Sequence, residues 1–394
     1  MRRPLAAATL ALAWTATSAL AQAPSAPRIA PLAESEWTEE VRAAAADFAS
    51  VGMPNLVATY ANHPVAAQAL LPHLRYIWSE SALPARHRAL LSLRTLWLTR
   101  SDYLWSHRAA RALDGGLTRD ELERIARGPD ASGWDDFEAL VIRAADELVV
   151  DAFISDATWN GLDERYDLPG LIDVIDTVGA LTMHSGAVNS LGVALEAGVG
   201  PGLPTDIPYA VAAEQTNIRL VGETPRIPPE IPDGATFAAN VFYTFRHNPP
   251  ADRVRGAINT HVTGRATLDP LHREFLLVRI GTLCRSEYEY AAHVRVGRGA
   301  GMTDEDLELI LAGPENGTGE PIKLALLRAT DELHGGYSIS ADTWSALAGT
   351  LDTRQMIDVL VAVGGYRSTS MLINSAGVQL DANMADFRFP PALR

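Results

Sequence analysis

One cysteine, Cys284, occurs in 394 residues, so neither an intrachain disulfide nor a CxxC redox or zinc motif can form. Lysine is as scarce: Lys323 stands alone and every other basic residue is arginine, which leaves one candidate for lysine-based covalent chemistry. Basic residues number 33 against 48 acidic ones, a net charge of -15. That deficit argues against nucleic acid or an anionic membrane as a partner, since both need basic surface. HExxH, Cys/His clusters, the GxSxG elbow, the P-loop and the GxGxxG fingerprint are all missing, so no metal site is expected. Beyond the N-terminus no stretch reads as a membrane span.

What is present begins with a targeting pattern. Arg2 and Arg3 precede an Ala/Leu-rich run from Leu5 to Leu20, and Ala19-Leu20-Ala21 fits an A-x-A cleavage site. Residues 1–21 are therefore expected to be a signal peptide cleaved after Ala21, with a periplasmic or secreted product. Losing both arginines takes the charge to -15 - 2 = -17.

The rest of the chain repeats itself. His87-Arg88 recurs as His272-Arg273, and 272 - 87 = 185. At the same offset Arg100-Ser101-Asp102-Tyr103 recurs as Arg285-Ser286-Glu287-Tyr288, Asp146-Glu147-Leu148 as Asp331-Glu332-Leu333, and Asn189-Ser190 as Asn374-Ser375. A gapless correspondence this long is a duplication. The copies are expected at 28–196 and 226–381, joined by a Pro/Gly-rich linker at 197–225.

Each copy reads as helical. Asp269-Pro270 supplies N-cap and N1 for a helix over Leu271 to Cys284. Thr118-x-x-Glu121, Thr303-x-x-Asp306 and Ser286-x-x-Glu289 have capping-box spacing. No convincing run of alternating strands appears, so the expected fold class is all-α, two similar bundles.

Chemistry-bearing residues concentrate in the second copy, between Cys284 and His293. Glu289 and His293 are i and i+4 on one helical face, with Tyr290 three residues before the histidine. Glu274 sits on the preceding helix among Phe275, Leu276, Leu277 and Val278, where an apolar setting should raise its pKa toward general acid/base use. Glu289 has two readings at this level, catalytic carboxylate or capping-box partner.

Glu274, then Glu287-Tyr288-Glu289-Tyr290-x-x-His293, then Gly301-Met302-Thr303 resemble the carboxymuconolactone decarboxylase family, which shares an all-helical, alkylhydroperoxidase D-like fold. Thr343-Trp344 and Val363-Gly364-Gly365-Tyr366 are similar to its closing helices. In the redox branch of that family a glutamate, a CxxC pair and a histidine form a proton relay. Glu274 and His293 match the relay ends, but Ser286 and Glu289 occupy the cysteine positions and Cys284 matches neither. The resemblance thus implies acid/base chemistry without cofactor or metal, as in decarboxylating members. Glu274, His293 and Glu289 are the candidate catalytic residues. Tyr288, Tyr290, Arg279, Arg285, His261 and Tyr366 are candidates for binding substrate. Arg94 and Arg100 match the two arginines in the first copy, so scaffold pairing with Asp331 or Glu332 competes with substrate binding.

The first copy has Ala89, Arg108 and Leu104 where the second has Glu274, His293 and Glu289, and is expected to be a degenerate scaffold. The expected function is an exported lyase or decarboxylase acting on a small carbonyl, lactone or carboxylate compound. A non-catalytic periplasmic binding or scaffold protein, and a peroxide-handling protein using Cys284, are the alternatives. A homo-oligomer is expected, because single-domain relatives assemble through helix faces.

Overall fold

The structure, a computed structural model, describes residues 24, 26–209, 224–234 and 239–393. The expected signal peptide lies outside these residues. The described residues hold helices and turns and no β-strand, in two similarly sized helical regions. The first contains α1 (Glu39–Phe48), α2 (Pro54–Tyr60), α3 (Pro64–Arg75), α4 (Ala85–Leu98), α5 (Asp102–Asp114), α6 (Arg119–Arg127), α7 (Asp136–Asp151), α8 (Asp156–Asp163) and α9 (Leu168–Leu191). The second contains α10 (Asn240–Phe245), α11 (Pro249–Thr260), α12 (Pro270–Leu283), α13 (Glu287–Gly299), α14 (Asp304–Ala312), α15 (Pro321–Gly336), α16 (Ala341–Ala348) and α17 (Thr353–Ala376).

Local chemistry explains most helix starts. The Asp269 carboxylate accepts from the Leu271 and His272 amides, and Pro270 at N1 gives up no needed donor. Thr118 with Glu121 and Thr303 with Asp306 form reciprocal capping boxes. Ser286 does not: its side chain makes no cap bond, and its Oγ is buried without a partner. The Glu289 carboxylate has turned away toward His293, which decides between its two readings as far as the capping box is concerned.

The duplication is also a backbone identity. Arg100 and Arg285 both have φ 52, and Ala152 and Tyr337 have φ 51 and 53. Each pair is 185 residues apart and ends a helix in the left-handed region.

The two halves do not sit apart as separate bundles. The long core helices α9 and α17 pack on each other, and glycine permits the contact. A Cβ on Gly179 would fall 2.2 Å from Ser368 Oγ, and one on Gly364 would fall 2.6 Å from Met183 Cγ. Since 179 + 185 = 364 and 183 + 185 = 368, these are one contact seen twice. By length and composition α17 is apolar enough to cross a membrane, yet 89% of its most apolar window is buried inside the protein. Arginines staple the halves again. Arg28 donates to Ser190 O and Ile339 O and lies over Trp344, while Arg226 donates to Ser375 O and Ile154 O and lies over Trp159.

Candidate active site

Helices α12 and α13 form an antiparallel hairpin whose close approach depends on Gly281, where a Cβ would sit 3.1 Å from Glu289 Cβ. That approach brings Glu274 from α12 against Glu289 and His293 from α13. His293 Nδ1 lies 2.7 Å from Glu274 Oε2, and its Nε2 lies 3.3 Å from Glu289 Oε2. Arg273 Nε donates to the other Glu274 oxygen at 2.9 Å. Tyr366, from α17, meets the imidazole edge-on at 4.7 Å and donates its hydroxyl to Asn259. The three titratable groups are almost sealed: Glu274 is 1% exposed, Glu289 4% and His293 7%.

The electrostatics correct one expectation. Burial does push the Glu274 carboxyl up, but the charge and hydrogen bond of His293, with Arg273 behind, outweigh it and hold its pKa below the usual value. Burial likewise opposes protonation of His293, and the Glu274 and Glu289 carboxylates overcome it, raising its pKa to about 9. At neutral pH the pair is carboxylate and imidazolium, so the group that carries a transferable proton is His293 and not Glu274. The sequence shows the apolar neighbours of Glu274 but not the cation folded onto it.

The candidate binding residues are scattered. Arg279 makes a two-pronged pair with Asp331, both contacts at 2.7 Å, and donates to Ile310 O at 2.9 Å. Arg94 repeats this with Asp146, Ile125 O and Ala126 O, so the arrangement belongs to the scaffold of both halves. Arg285 faces Asp151 of the first half at 3.6 Å. The Tyr288 hydroxyl donates to Asp381 at 2.7 Å, as Tyr103 donates to Glu196, and 196 + 185 = 381. Tyr290 packs its ring on Phe389 at 4.7 Å in an apolar cluster with Phe275 and Val278. Of the six, Tyr366 alone has a recorded contact with the imidazole of His293.

His261 binds Asp358 Oδ1 at 2.7 Å, and His63 from the other half binds the same oxygen at 2.9 Å. Their ligand-type atoms lie within 4.8 Å of one another, the spacing of a metal site. The hydrogen bonds do not fit a metal, however. His63 Nδ1 accepts from the Ala66 amide, so its Nε2 carries the proton it gives to Asp358, and no lone pair is left there for a cation. The buried His261 Nδ1 has no partner to set the opposite tautomer. In the twin position Tyr76 and Asn248 donate to Asp173 with the same geometry and no histidine. Both carboxylates also accept a backbone amide, from Ala82 and from Thr267, so each acts as a carboxylate cage between the halves.

In the first half the acid/base positions are filled otherwise. Ala89 and Leu104 are buried and apolar, and Arg108 donates to Trp78 O at 3.0 Å with its guanidinium over the Trp78 ring. His107 points elsewhere, 2.7 Å from Glu196. Sequence reasoning missed Arg273 and Asn259. Arg273 is signalled only by its place beside Glu274, and Asn259 by nothing in the local pattern.

A model of the carboxymuconolactone decarboxylase family matches residues 64–147 and again 249–332. The matches are themselves 249 - 64 = 185 residues apart and cover α3 through most of α7, and α11 through most of α15. No curated protein matches the chain. The repeat offset, the shared helix order and the two matches lead to one conclusion: this chain carries two domains of the carboxymuconolactone decarboxylase family in tandem.

Proposed function

We propose that the chain is a cofactor-independent lyase of decarboxylase type, with Glu274, His293 and Glu289 of the second domain as its acid/base apparatus. The observation that carries this reading is the imidazole of His293 held between two carboxylates, at 2.7 Å and 3.3 Å. Glu274 keeps the ring charged and oriented. The longer Glu289 contact is the weaker one, and a substrate displaces it to reach Nε2–H. A substrate with a carboxylate β to a carbonyl loses carbon dioxide, and the electron pair of the broken C–C bond passes to the carbonyl oxygen as an enolate. His293 then gives its proton to the α-carbon as the carbonyl re-forms, and solvent returns a proton to the imidazole. Small carbonyl, lactone and carboxylate compounds are the substrate class.

The peroxide alternative has little support. Cys284 is 2% exposed, and burial pushes its thiol up to about 11, so the thiolate that attacks peroxide is scarce. The near-complete burial of Glu274 and His293 favours the other alternative, a fold that binds without turning over. Deuterium exchange α to the carbonyl, followed by NMR in a panel of keto acids and lactones, separates the two. Exchange or carbon dioxide release that disappears in Glu274→Gln and His293→Ala but persists in Arg108→Ala supports the lyase. Binding with neither, or loss in the Arg108 variant alone, overturns it.

The N-terminal pattern supports export to the periplasm or beyond, and family kinship supports a homo-oligomer. Both belong to this proposal. Protein sequencing of the mature N-terminus and light scattering test them.

A further inference from the structure

A cleft opens between the two halves, with about 310 Å³ of empty space counting the part open to solvent. Its tight interior is small, which limits any occupant to a few carbon atoms. The first half contributes His73 and Met183, and the second contributes Arg255, Ile258, Asn259 and the Tyr366 ring. Beneath it lies Asp176, bonded to His73 Nε2 at 3.3 Å and to Arg255 Nη1.

Two polar atoms at this cleft are buried and have no partner, His73 Nδ1 and Arg255 Nε. Their residues are 2% and 7% exposed. An unmade hydrogen bond on a buried group costs about 1–3 kcal/mol, so a partner is called for. The fold itself does not require this polarity. At the 185-residue offset His73 corresponds to Ile258, Asp176 to Val361 and Arg255 to Leu70, all buried hydrocarbons. The same contact is thus closed once with apolar side chains and once with an ion pair and an imidazole. Buried ion pairs seldom stabilise more than such hydrocarbons, so the polar version has another use.

The donor pattern says what fits. His73 Nε2–H is committed to Asp176, which leaves Nδ1 as an acceptor. Arg255 Nε–H is a donor. Asp176 and Arg255 cancel in charge, so an anion gains little there. Met183 and Ile258 offer the apolar wall for a short carbon chain. We propose that this cleft between the halves is a binding site for a small neutral hydroxy-carbonyl compound, whose hydroxyl donates to His73 Nδ1 while an oxygen accepts from Arg255 Nε. The site stands independently of the acid/base reading, although Tyr366 belongs to both and touches His293.

The test titrates hydroxyacetone and acetoin into the full chain, with acetate as the anionic comparison, and follows saturation-transfer NMR and the His73 ring nitrogen signals. Saturable binding of at least one neutral probe is expected, with a shift at His73 Nδ1 and at least tenfold weaker binding of acetate. His73→Phe should weaken binding at least tenfold. If that variant unfolds, Gly365→Ala decides, since its Cβ enters the cleft 3.1 Å from Ile258 Cγ2 and should also weaken binding. His293→Gln should leave binding unchanged, so failure of the lyase reading and failure of this one are distinguishable. The proposal is overturned if neither neutral probe saturates, if acetate binds as tightly, or if Gly365→Ala binds like the native chain.

Discussion

His293 Nδ1 and Glu274 Oε2 lie 2.7 Å apart in a site where neither residue is more than 7% exposed. A buried imidazolium and carboxylate at that distance depend on each other, because either one left alone would be an unpaired charge. The following expectations rest on that dependence and on the duplicated frame around it.

Replacing Glu274 by Gln removes the charge that raises the His293 pKa. The imidazole should then be mostly neutral at pH 7.5, with its NMR titration midpoint moved down from about 9. Turnover should fall by about 10²–10⁴-fold, the usual contribution of a positioned acid or base. A Gln variant with an unmoved midpoint would sink the pairing.

The same pair makes stability depend on pH. The His293 pKa in the folded chain, about 9, exceeds the unfolded value near 6.5. Its contribution is therefore fully present below about pH 6.5 and is lost as pH rises through about 9. Urea midpoints of the native chain and of His293→Gln should converge across that window. A gap that stays constant from pH 6 to 9.5 would contradict a protonated His293.

Arg279 and Arg94 are expected to behave as scaffold. Arg94→Ala leaves Asp146 buried and unpaired and should cost about 3–5 kcal/mol in denaturant unfolding. Arg279→Ala should cost less, because its Asp331 partner is 26% exposed. A large rise in KM for Arg279→Ala without loss of stability would instead restore it to the substrate.

The α9–α17 crossing should tolerate no side chain at its glycines. Gly364→Ala puts a Cβ 2.6 Å from Met183 and should destabilise the chain by about 1–3 kcal/mol, read from the denaturant midpoint. Gly256, with nothing near its Cβ, is the control position. Equal effects at both would mean that the helices do not cross there.

Cys284 should be inert. Its buried thiol, pushed up to about 11, should react with a thiol-blocking reagent only when the chain unfolds, and Cys284→Ala should leave activity unchanged. Loss of activity on blocking the folded protein would revive the peroxide reading.

By itself the sequence determined the helical class, the duplication at 185 residues and the inequality of the two copies, because cap residues, apolar spacing and repeated motifs are local signals. It also brought Glu274, Glu289 and His293 to notice, since two lie one helical turn apart and the third opens the same hairpin. Only the tertiary structure decided what those groups are. Capping spacing left Glu289 open until the fold turned its carboxylate onto His293. An apolar neighbourhood foretold a raised Glu274 pKa until an imidazole proved to lie 2.7 Å away. The roles of His261, Tyr288 and Arg279 were equally hidden, because their partners Asp358, Asp381 and Asp331 are 97, 93 and 52 residues distant along the chain. Charge and hydrogen bonding act through space, so the sequence names the groups and the packing of α12, α13 and the two central helices sets their protonation.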